Sequence, residues 1–349
     1  MACLGFAVVG TSSISESFIS VLNASEDARY VGSVSRDRER AARVTAEHGG
    51  TVPFTSLDAA LACEEVDAVY IASPNALHAV QALDCVRAGK HVLVEKPLAL
   101  CEADARSILD AARSAGVVAM EAMRSVHDPG MQTIRDAIAR IGRVRRASLR
   151  FGKYSSRYDE VLAGRQTNIF DARMGTGSLM DIGVYCVEAC VALFGAPDAV
   201  TCAPVLISGP DTEQTGGVVD GAGTILARYP DKVVELSYSK ISQDLLPCQI
   251  EGELGTVTYS GVSVPLEGEL LLRGRAVGGA QRPGEFSEGD VTEPLAFPAC
   301  DNNMCYELAD FIACVRGGLD AAPFGEITCT SLSIMDEARR QAGIEFPRG

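Results

Sequence analysis

Three side chains stand where they could move a proton on or off an oxygen. Lys96 lies in Glu95-Lys96-Pro97, directly after the apolar run Val92-Leu93-Val94. Proline fixes its own φ and holds the preceding residue extended, so Pro97 presents the Lys96 ammonium at the end of a buried strand. A cation held there can polarise a carbonyl or hydroxyl oxygen. Asp181 and Tyr185 lie on a stretch where Leu179, Ile182, Cys186, Ala189 and Leu193 repeat with helical spacing. A spacing of four sets Asp181 and Tyr185 one turn apart, with Glu188 following on the same face. Polar groups on an otherwise apolar helix need a partner or a cleft. A free phenol, with a pKa of roughly 10, is a poor acid or base at neutral pH. A neighbouring ammonium stabilises the phenolate and lowers that pKa. The expectation is that Lys96 and Tyr185 meet across a cleft. Tyr185 would act as general acid/base. Lys96 would tune it and polarise the substrate oxygen, and Asp181 would orient substrate hydroxyls or Lys96.

A second chemistry is phosphate binding. The run Gly10-Thr11-Ser12-Ser13-Ile14-Ser15 follows an apolar strand and opens a helical pattern. Backbone N–H groups at a helix start can cradle a pyrophosphate. Only the first glycine of the dinucleotide fingerprint is kept. Ser12 and Ser13 still offer hydroxyl and backbone donors, and a plain strand–helix turn is the other reading. At the end of the second strand an acid would take the ribose diol of NAD, whereas Arg accommodates the phosphate of NADP. Here Ser35 and Arg36 follow Val34, Asp37 is displaced by one, and Arg40 lies beyond. This arrangement favours NADP(H), with NAD(H) possible, because Ser35 and Arg36 can bond a phosphate with charge assistance.

These groups need a scaffold that brings loop ends together. Strands are expected at 5–10, 29–34, 67–72, 91–95 and 117–120, with a weaker one at 52–54. Helices are expected at 14–22, 38–47, 77–88 and 103–115, two of them ending at Gly89 and Gly116. Such alternation implies a doubly wound parallel sheet whose ligand edge lies at the strand C-termini. After residue 123 the pattern changes to a helix at 129–139 and strands at 144–154, 224–229, 232–239, 249–251 and 256–259. Helices at 177–194, 303–316 and 326–341 accompany them, and 273–294 reads as a surface loop. The expected fold class is α/β. An N-terminal dinucleotide-binding domain covers 1–122, and an α+β substrate-binding and oligomerisation domain with a large, mostly antiparallel sheet covers 123–349.

Composition excludes several classes. The 349 residues carry 31 Lys and Arg against 46 Asp and Glu, a formal net charge of −15. That field repels nucleic acid and anionic membrane surfaces. Twelve Cys are present without a Cys-x-x-Cys spacing, and only four His. The expectation is no metal site, and reduced, mostly buried thiols in a cytoplasmic protein. There is no secretory leader pattern, and no uncharged apolar run nears the roughly 18–20 residues needed to span a bilayer.

The runs Ser73-Pro74-Asn75-Ala76-Leu77-His78 and Gly89-Lys90-His91-Val92-Leu93-Val94-Glu95-Lys96-Pro97 resemble the glucose–fructose oxidoreductase / inositol dehydrogenase (Gfo/Idh/MocA) family. The likeness extends through Glu121-Ala122-Met123-Arg124, through 175–185 and to 334–344, essentially the whole chain. The Asp-x-Gly-x-Tyr form is most similar to the dimeric dihydrodiol dehydrogenase and NADP-dependent xylose dehydrogenase branch. The resemblance implies hydride transfer between nicotinamide and a sugar, polyol or cyclic diol, with Lys96, Asp181 and Tyr185 in the roles given above. It implies cofactor contacts from Gly10, Thr11, Ser12, Ser13, Ile14, Ser35, Arg36, Arg40, Ser73, Pro74, Asn75, Glu95, Lys96 and Met123. His78 would shape the same loop or face solvent. Arg124, Asn168 and Arg173 are candidate substrate contacts. A homodimer or homotetramer is implied through the large sheet. Two other readings stay open: a non-catalytic dinucleotide-binding sensor, and a nicotinamide-assisted glycosidase.

Overall fold

Short apolar strands, buried on both faces, build the first layer. In the computed structural model, which describes residues 3–207, 215–274 and 289–347, these are β1 (Leu4–Val9), β2 (Ala28–Val34), β3 (Ala68–Ile71), β4 (His91–Glu95) and β5 (Ala119–Ala122). They run parallel in the order β2-β1-β3-β4-β5. Phe6, Ala7 and Val8, Val69 to Ile71, and Val92 to Val94 have no exposed surface, as a sheet covered on both faces requires. The crossovers are α1 (Ser13–Ala24), α2 (Arg38–Glu47) with α3 (Leu57–Leu61), α4 (Asn75–Arg87) and α5 (Glu102–Ala115). Val9 pairs with Val34 and Ile71, and Ile71 with Val94, so the strand ends stand level. The loops after β1, β2, β3 and β4 therefore open on one edge, where the strand order reverses.

Beyond β5 come α6 (Arg124–His127), α7 (Gly130–Ile138), β6 (Val144–Gly152) and α8 (Ser156–Leu162). A π-helical turn at Leu179–Gly183 then runs into α9 (Val184–Phe194). Next are β7 (Ala199–Ile207), β8 (Val219–Arg228), β9 (Val233–Ser239), β10 (Cys248–Gly252), β11 (Gly255–Tyr259), β12 (Gly268–Leu272) and β13 (Val291–Pro294). With β6 they make an eight-stranded sheet, β13-β12-β11-β10-β6-β9-β8-β7, antiparallel except for the β6–β9 pair. α9 and α11 (Ala322–Ala342) cover one face. α10 (Met304–Val315) instead returns to the first sheet, where Phe311 meets Phe6 at a ring-centroid distance of 5.8 Å. The stretch Ala172–Phe194 is long and apolar enough to cross a bilayer, yet 72% of its window is buried inside the protein. It serves as the core helix.

Several expectations need correction. β7, β12 and β13 were not foreseen. β7 and β13 are the sheet's two edges, and Pro204 in β7 is tolerated because an edge strand leaves one side of its ladder unpaired. The surface loop expected over 273–294 yields β13 at its end, while 275–288 fall outside the described residues. The weak strand at 52–54 reduces to one bridge, Val34 to Phe54. The helix expected over 177–194 begins in π geometry, so Asp181 and Tyr185 are not a simple one-turn pair. The cause is local. The Asp220 carboxylate accepts from the Leu179 N–H at 2.7 Å. A Cβ on Gly177 (φ +143°) would lie 2.4 Å from Asp220 Oδ1, and one on Gly183 would lie 2.9 Å from the Tyr238 ring. Two glycines thus let the turn press onto β8 and β9.

Burial pushes the Asp220 carboxyl up to about 7 despite its backbone donors. A carboxyl whose folded pKa is raised holds a proton that the unfolded chain has released. Its contribution to stability is complete below the ordinary value of 3.8 and is lost as pH climbs through about 7. Asp220→Asn should therefore make the pH dependence of unfolding free energy less negative, by up to about 1.4 kcal/mol per pH unit across that window. Urea melts of both proteins across the range measure it, and parallel curves would refute the assignment.

Candidate active site

The first loop is shaped for a phosphate. Gly10 adopts φ +110°, and a Cβ there would lie 2.7 Å from the Ala72 carbonyl and 3.1 Å from Ser15 Oγ. Only glycine lets β1 turn this close to β3. Ser12 begins α1 without a side-chain cap, and its hydroxyl lies 3.3 Å from that of Ser15. Ser12 and Ser13 are exposed beside the first-turn N–H groups, which are open to an anion. Thr11 supplies a carbonyl that accepts from Arg40 Nη2 at 2.9 Å, tying this loop to α2. Ile14 packs at the rim of the first core. At the end of β2, the Asp37 carboxylate caps α2, accepting from the N–H groups of Glu39 (3.0 Å) and Arg40 (3.1 Å). The acid that could have met a ribose diol is thus engaged locally, leaving Ser35 with exposed Arg36 and Arg40. These donors fit a phosphorylated dinucleotide.

The second half of the groove is tightly braced. His78 is 1% exposed, with Nδ1 2.8 Å from the Pro97 carbonyl and Nε2 2.8 Å from the Ser73 carbonyl. It joins the β3 and β4 loops rather than facing solvent. Burial lowers its pKa against both carbonyls, and a neutral ring donates to only one of them. Ser73 Oγ donates to Gln81 Oε1 at 2.7 Å, and Pro74 precedes α4. Asn75 Nδ2 donates to the Gly175 carbonyl at 3.0 Å. Met123 is buried at the end of β5.

Lys96, Asp181 and Tyr185 converge at the end of β4. Lys96 Nζ donates to the Asp181 carbonyl at 2.5 Å and to Asp181 Oδ1 at 3.1 Å. It stands 5.1 Å from the centroid of the Tyr185 ring, a cation–π distance. No spacing or motif pointed to Lys240, which follows β9 and pairs with Asp181 Oδ2. Both carboxylate oxygens of Asp181 therefore contact lysines. Burial would raise the Asp181 pKa, but Lys96 and Lys240 hold it far below the carboxylate range. Burial would lower the Lys96 pKa, but Asp181, Tyr185 and Glu95 raise it instead. Tyr185 contradicts the expected sign. Burial raises its pKa above the ordinary phenol value, and the Lys96 charge offsets that only in part.

Glu95 anchors the strand end, accepting from the Tyr70 hydroxyl and, at 3.2 Å, from the Lys96 N–H. Arg124 opens α6 within the field of Tyr185, Glu307, Glu95 and Tyr70, which raise its pKa although burial lowers it. Arg173 is drawn elsewhere. It forks onto Asp171 at 2.8 and 2.9 Å, and its side chain stays 46% exposed. Asn168 is exposed on a short turn whose carbonyl accepts from Thr176 Oγ1 at 2.7 Å. Neither makes a described contact with Lys96 or Tyr185, because Gly175, not their side chains, meets the groove. Among the described residues no three His, Cys, Asp or Glu gather as metal ligands would.

Residues 4–123 match the oxidoreductase family with an NAD-binding Rossmann fold, and 131–258 match the GFO/IDH/MocA C-terminal domain. The chain is 36% identical to a Bacillus subtilis scyllo-inositol 2-dehydrogenase (NADP(+)) over 98% of each protein. It is 28% identical to the mouse trans-1,2-dihydrobenzene-1,2-diol dehydrogenase, covering 99% of this chain and 98% of that one. An Actinomadura kijaniata 3-ketoreductase, solved with NADP and TDP-benzene, shares the fold with a TM-score of 0.81 at 23% identity, covering 97% and 98%. The chain belongs to the Gfo/Idh/MocA oxidoreductase family, and it is an oxidoreductase built on that family's dinucleotide-binding scaffold.

The charge balance around Lys96 can be read chemically. Asp181→Asn removes the anion that opposes burial, so the Lys96 pKa should fall and its amine should react with an acylating reagent at lower pH. Peptide mapping of labelled Lys96 against pH measures this. An unmoved labelling profile would show that Asp181 does not set the Lys96 charge.

Proposed function

We propose that the protein is an NADP(H)-dependent dehydrogenase that interconverts a secondary alcohol and a carbonyl on a sugar, polyol or cyclic diol. The observation that carries this reading is the meeting of Lys96 and Tyr185 at the ligand edge of β4, 5.1 Å between ammonium and ring centre. The names of the inositol and dihydrodiol dehydrogenases it resembles support the substrate class. The Gly10 turn and the α1 N-terminus would hold the pyrophosphate, with Ser35, Arg36 and Arg40 at the ribose phosphate and Pro74 and Asn75 beside the nicotinamide. The nicotinamide supplies or takes the hydride when bound. Lys96 holds its positive charge toward the substrate oxygen, where negative charge develops. Tyr185, with its raised pKa, keeps its proton near neutral pH and delivers it to a carbonyl oxygen during reduction. For oxidation it must lose that proton, and the Lys96 charge makes this loss easier. Lys240 takes the other oxygen of Asp181, so two lysines share one carboxylate and a positive charge is left over for the substrate oxygen.

We further propose that the open face of the large sheet joins two copies. Exposed Leu226 and Val233 there alternate with the pairs Arg146–Glu251 and Arg150–Glu235, a mixture a twofold-related copy can meet. Twelve free thiols suit a reducing compartment such as the cytoplasm.

Lys96→Met and Tyr185→Phe should each lower turnover of a responsive polyol by about 10²- to 10⁴-fold, while NADPH affinity measured by fluorescence changes only a few-fold. Undiminished turnover in either variant overturns the roles. In Lys96→Met the residual oxidation should also shift its alkaline limb to higher pH, because the phenolate has lost its cation. Arg36→Ala should raise KM for NADPH about tenfold or more and leave NADH almost unchanged. Equal effects on both would remove the basis for choosing NADP.

A further inference from the structure

Twelve cysteines without a Cys-x-x-Cys spacing gave no reason to expect a working pair, yet the fold makes one. Cys300 and Cys305 bring their Sγ atoms to 3.4 Å. No other pair of thiols is in such contact among the described residues. Six of the twelve cysteines are buried, but these two are only half-buried. They line a cavity of about 690 Å³ between α1 and α10, with Val21, Leu308 and Ile312 as its apolar wall and Arg316 paired to Asp27 at 2.7 Å. A small oxidant can reach them there. The cavity lies toward the C-terminal end of α1, apart from Lys96 and Tyr185.

The segment between the sulfurs is a clamp. Asn302 Nδ2 donates to both the carbonyl and the hydroxyl of Ser17 on α1, each at 3.0 Å, while its Oδ1 accepts from the Met304 N–H at 3.2 Å. Asn303 Nδ2 donates to Asp128 Oδ2 at 2.8 Å. The six residues thus fix the start of α10 to α1, whose own N-terminus carries Ser12 and Ser13.

We propose that Cys300 and Cys305 form a reversible thiol–disulfide site, oxidised by hydroperoxides, and that closing it loosens the Asn302 hold on α1. Burial and the adjacent Cys300 push the Cys305 thiol up to about 11, so it keeps its proton. Cys300, on the loop ahead of α10, is assigned as the sulfur that meets the oxidant. Its thiolate attacks the O–O bond, forming a sulfenic acid and releasing water or an alcohol. Cys305 loses its proton and attacks that sulfur, and the sulfenic oxygen leaves as water. Two thiols and one peroxide become one disulfide, water and the reduced peroxide fragment. The sulfurs need only close to about 2.05 Å. That movement draws Cys300 toward α10 and carries Asn302 off Ser17.

The test uses the full chain and hydrogen peroxide. Digestion without reduction, followed by mass analysis, should find a peptide containing residues 300–305 lighter by two hydrogens, restored by a dithiol reductant. Cys300→Ser and Cys305→Ser should not form it. Both thiols staying alkylatable, or Cys300 advancing to a sulfinic acid beside a free Cys305, overturns the site. Hydrogen exchange then reads the clamp. Amides of Ser13–Ala24 should exchange several-fold faster in the oxidised wild type, and no faster in peroxide-treated Cys305→Ser. Equal exchange in oxidised and reduced wild type, with the disulfide formed, overturns the coupling to α1. Neither readout depends on the cofactor or substrate assignment.

Discussion

One carboxylate ties the two sheets together at the site. Asp181 is offered by the π turn against the large sheet, Lys96 by the end of β4 in the small sheet, and Lys240 by the end of β9. Three partly buried charges in this arrangement leave one net positive charge. A lone buried ammonium would lose its proton to escape desolvation, and a lone ion pair would leave no charge for the substrate oxygen. Two lysines on one carboxylate avoid both outcomes. Because the three groups come from separate elements, their geometry is only as good as the packing that holds the sheets together.

That packing is built from backbone features with little freedom. His78 fixes the β4 loop to the β3 loop through two carbonyls, and Asn75 reaches over to Gly175. Asp220 holds the first N–H of the π turn, and Gly183 lets the turn lie flat on Tyr238. From the far side, the Asp336 carboxylate of α11 accepts from the Glu102 N–H of α5 at 2.9 Å. Each bond is modest alone, about 1 kcal/mol net. Their joint effect is to restrict how far Asp181 can move from Lys96.

The sequence made some of this legible for a plain reason. The first sheet is parallel, so its strands are continuous apolar runs that end in glycine or a polar turn, and Glu95-Lys96-Pro97 stands at such an end. Lys96, Asp181 and Tyr185 could be chosen because each interrupts an apolar pattern. Lys240 also ends an apolar strand, but no proline or neighbouring motif marks it, and only the strand order β6-β9-β8 places it beneath Asp181. The sign of the Tyr185 shift was missed because spacing reports neighbours and not desolvation. Cys300 and Cys305 were passed over because a loop turning into a helix, rather than a short Cys-x-x-Cys span, brings them together. Arg173 and Asn168 looked available because their local partners, Asp171 and Thr176, become evident only once the chain is folded.

The overall acidity of the chain makes its buried acids informative. Glu188 was expected to share a face with Tyr185. It is 1% exposed, and burial together with Glu121 raises its carboxyl far above the ordinary range. Glu121 accepts from the Leu98 N–H and the Thr328 hydroxyl, each at 2.7 Å, so it is the better placed of the two to carry the charge. One proton on Glu188 therefore lets a carboxyl–carboxylate pair join β5, α9 and α11 without two buried anions. Glu307 is likewise raised by burial and by Glu95 beside Arg124. Nearer the site, Asp181 orients the Lys96 ammonium and Glu95 accepts from the Lys96 backbone N–H. The Lys96 ammonium at the end of β4 keeps its charge against burial because Asp181 and Glu95 stand beside it.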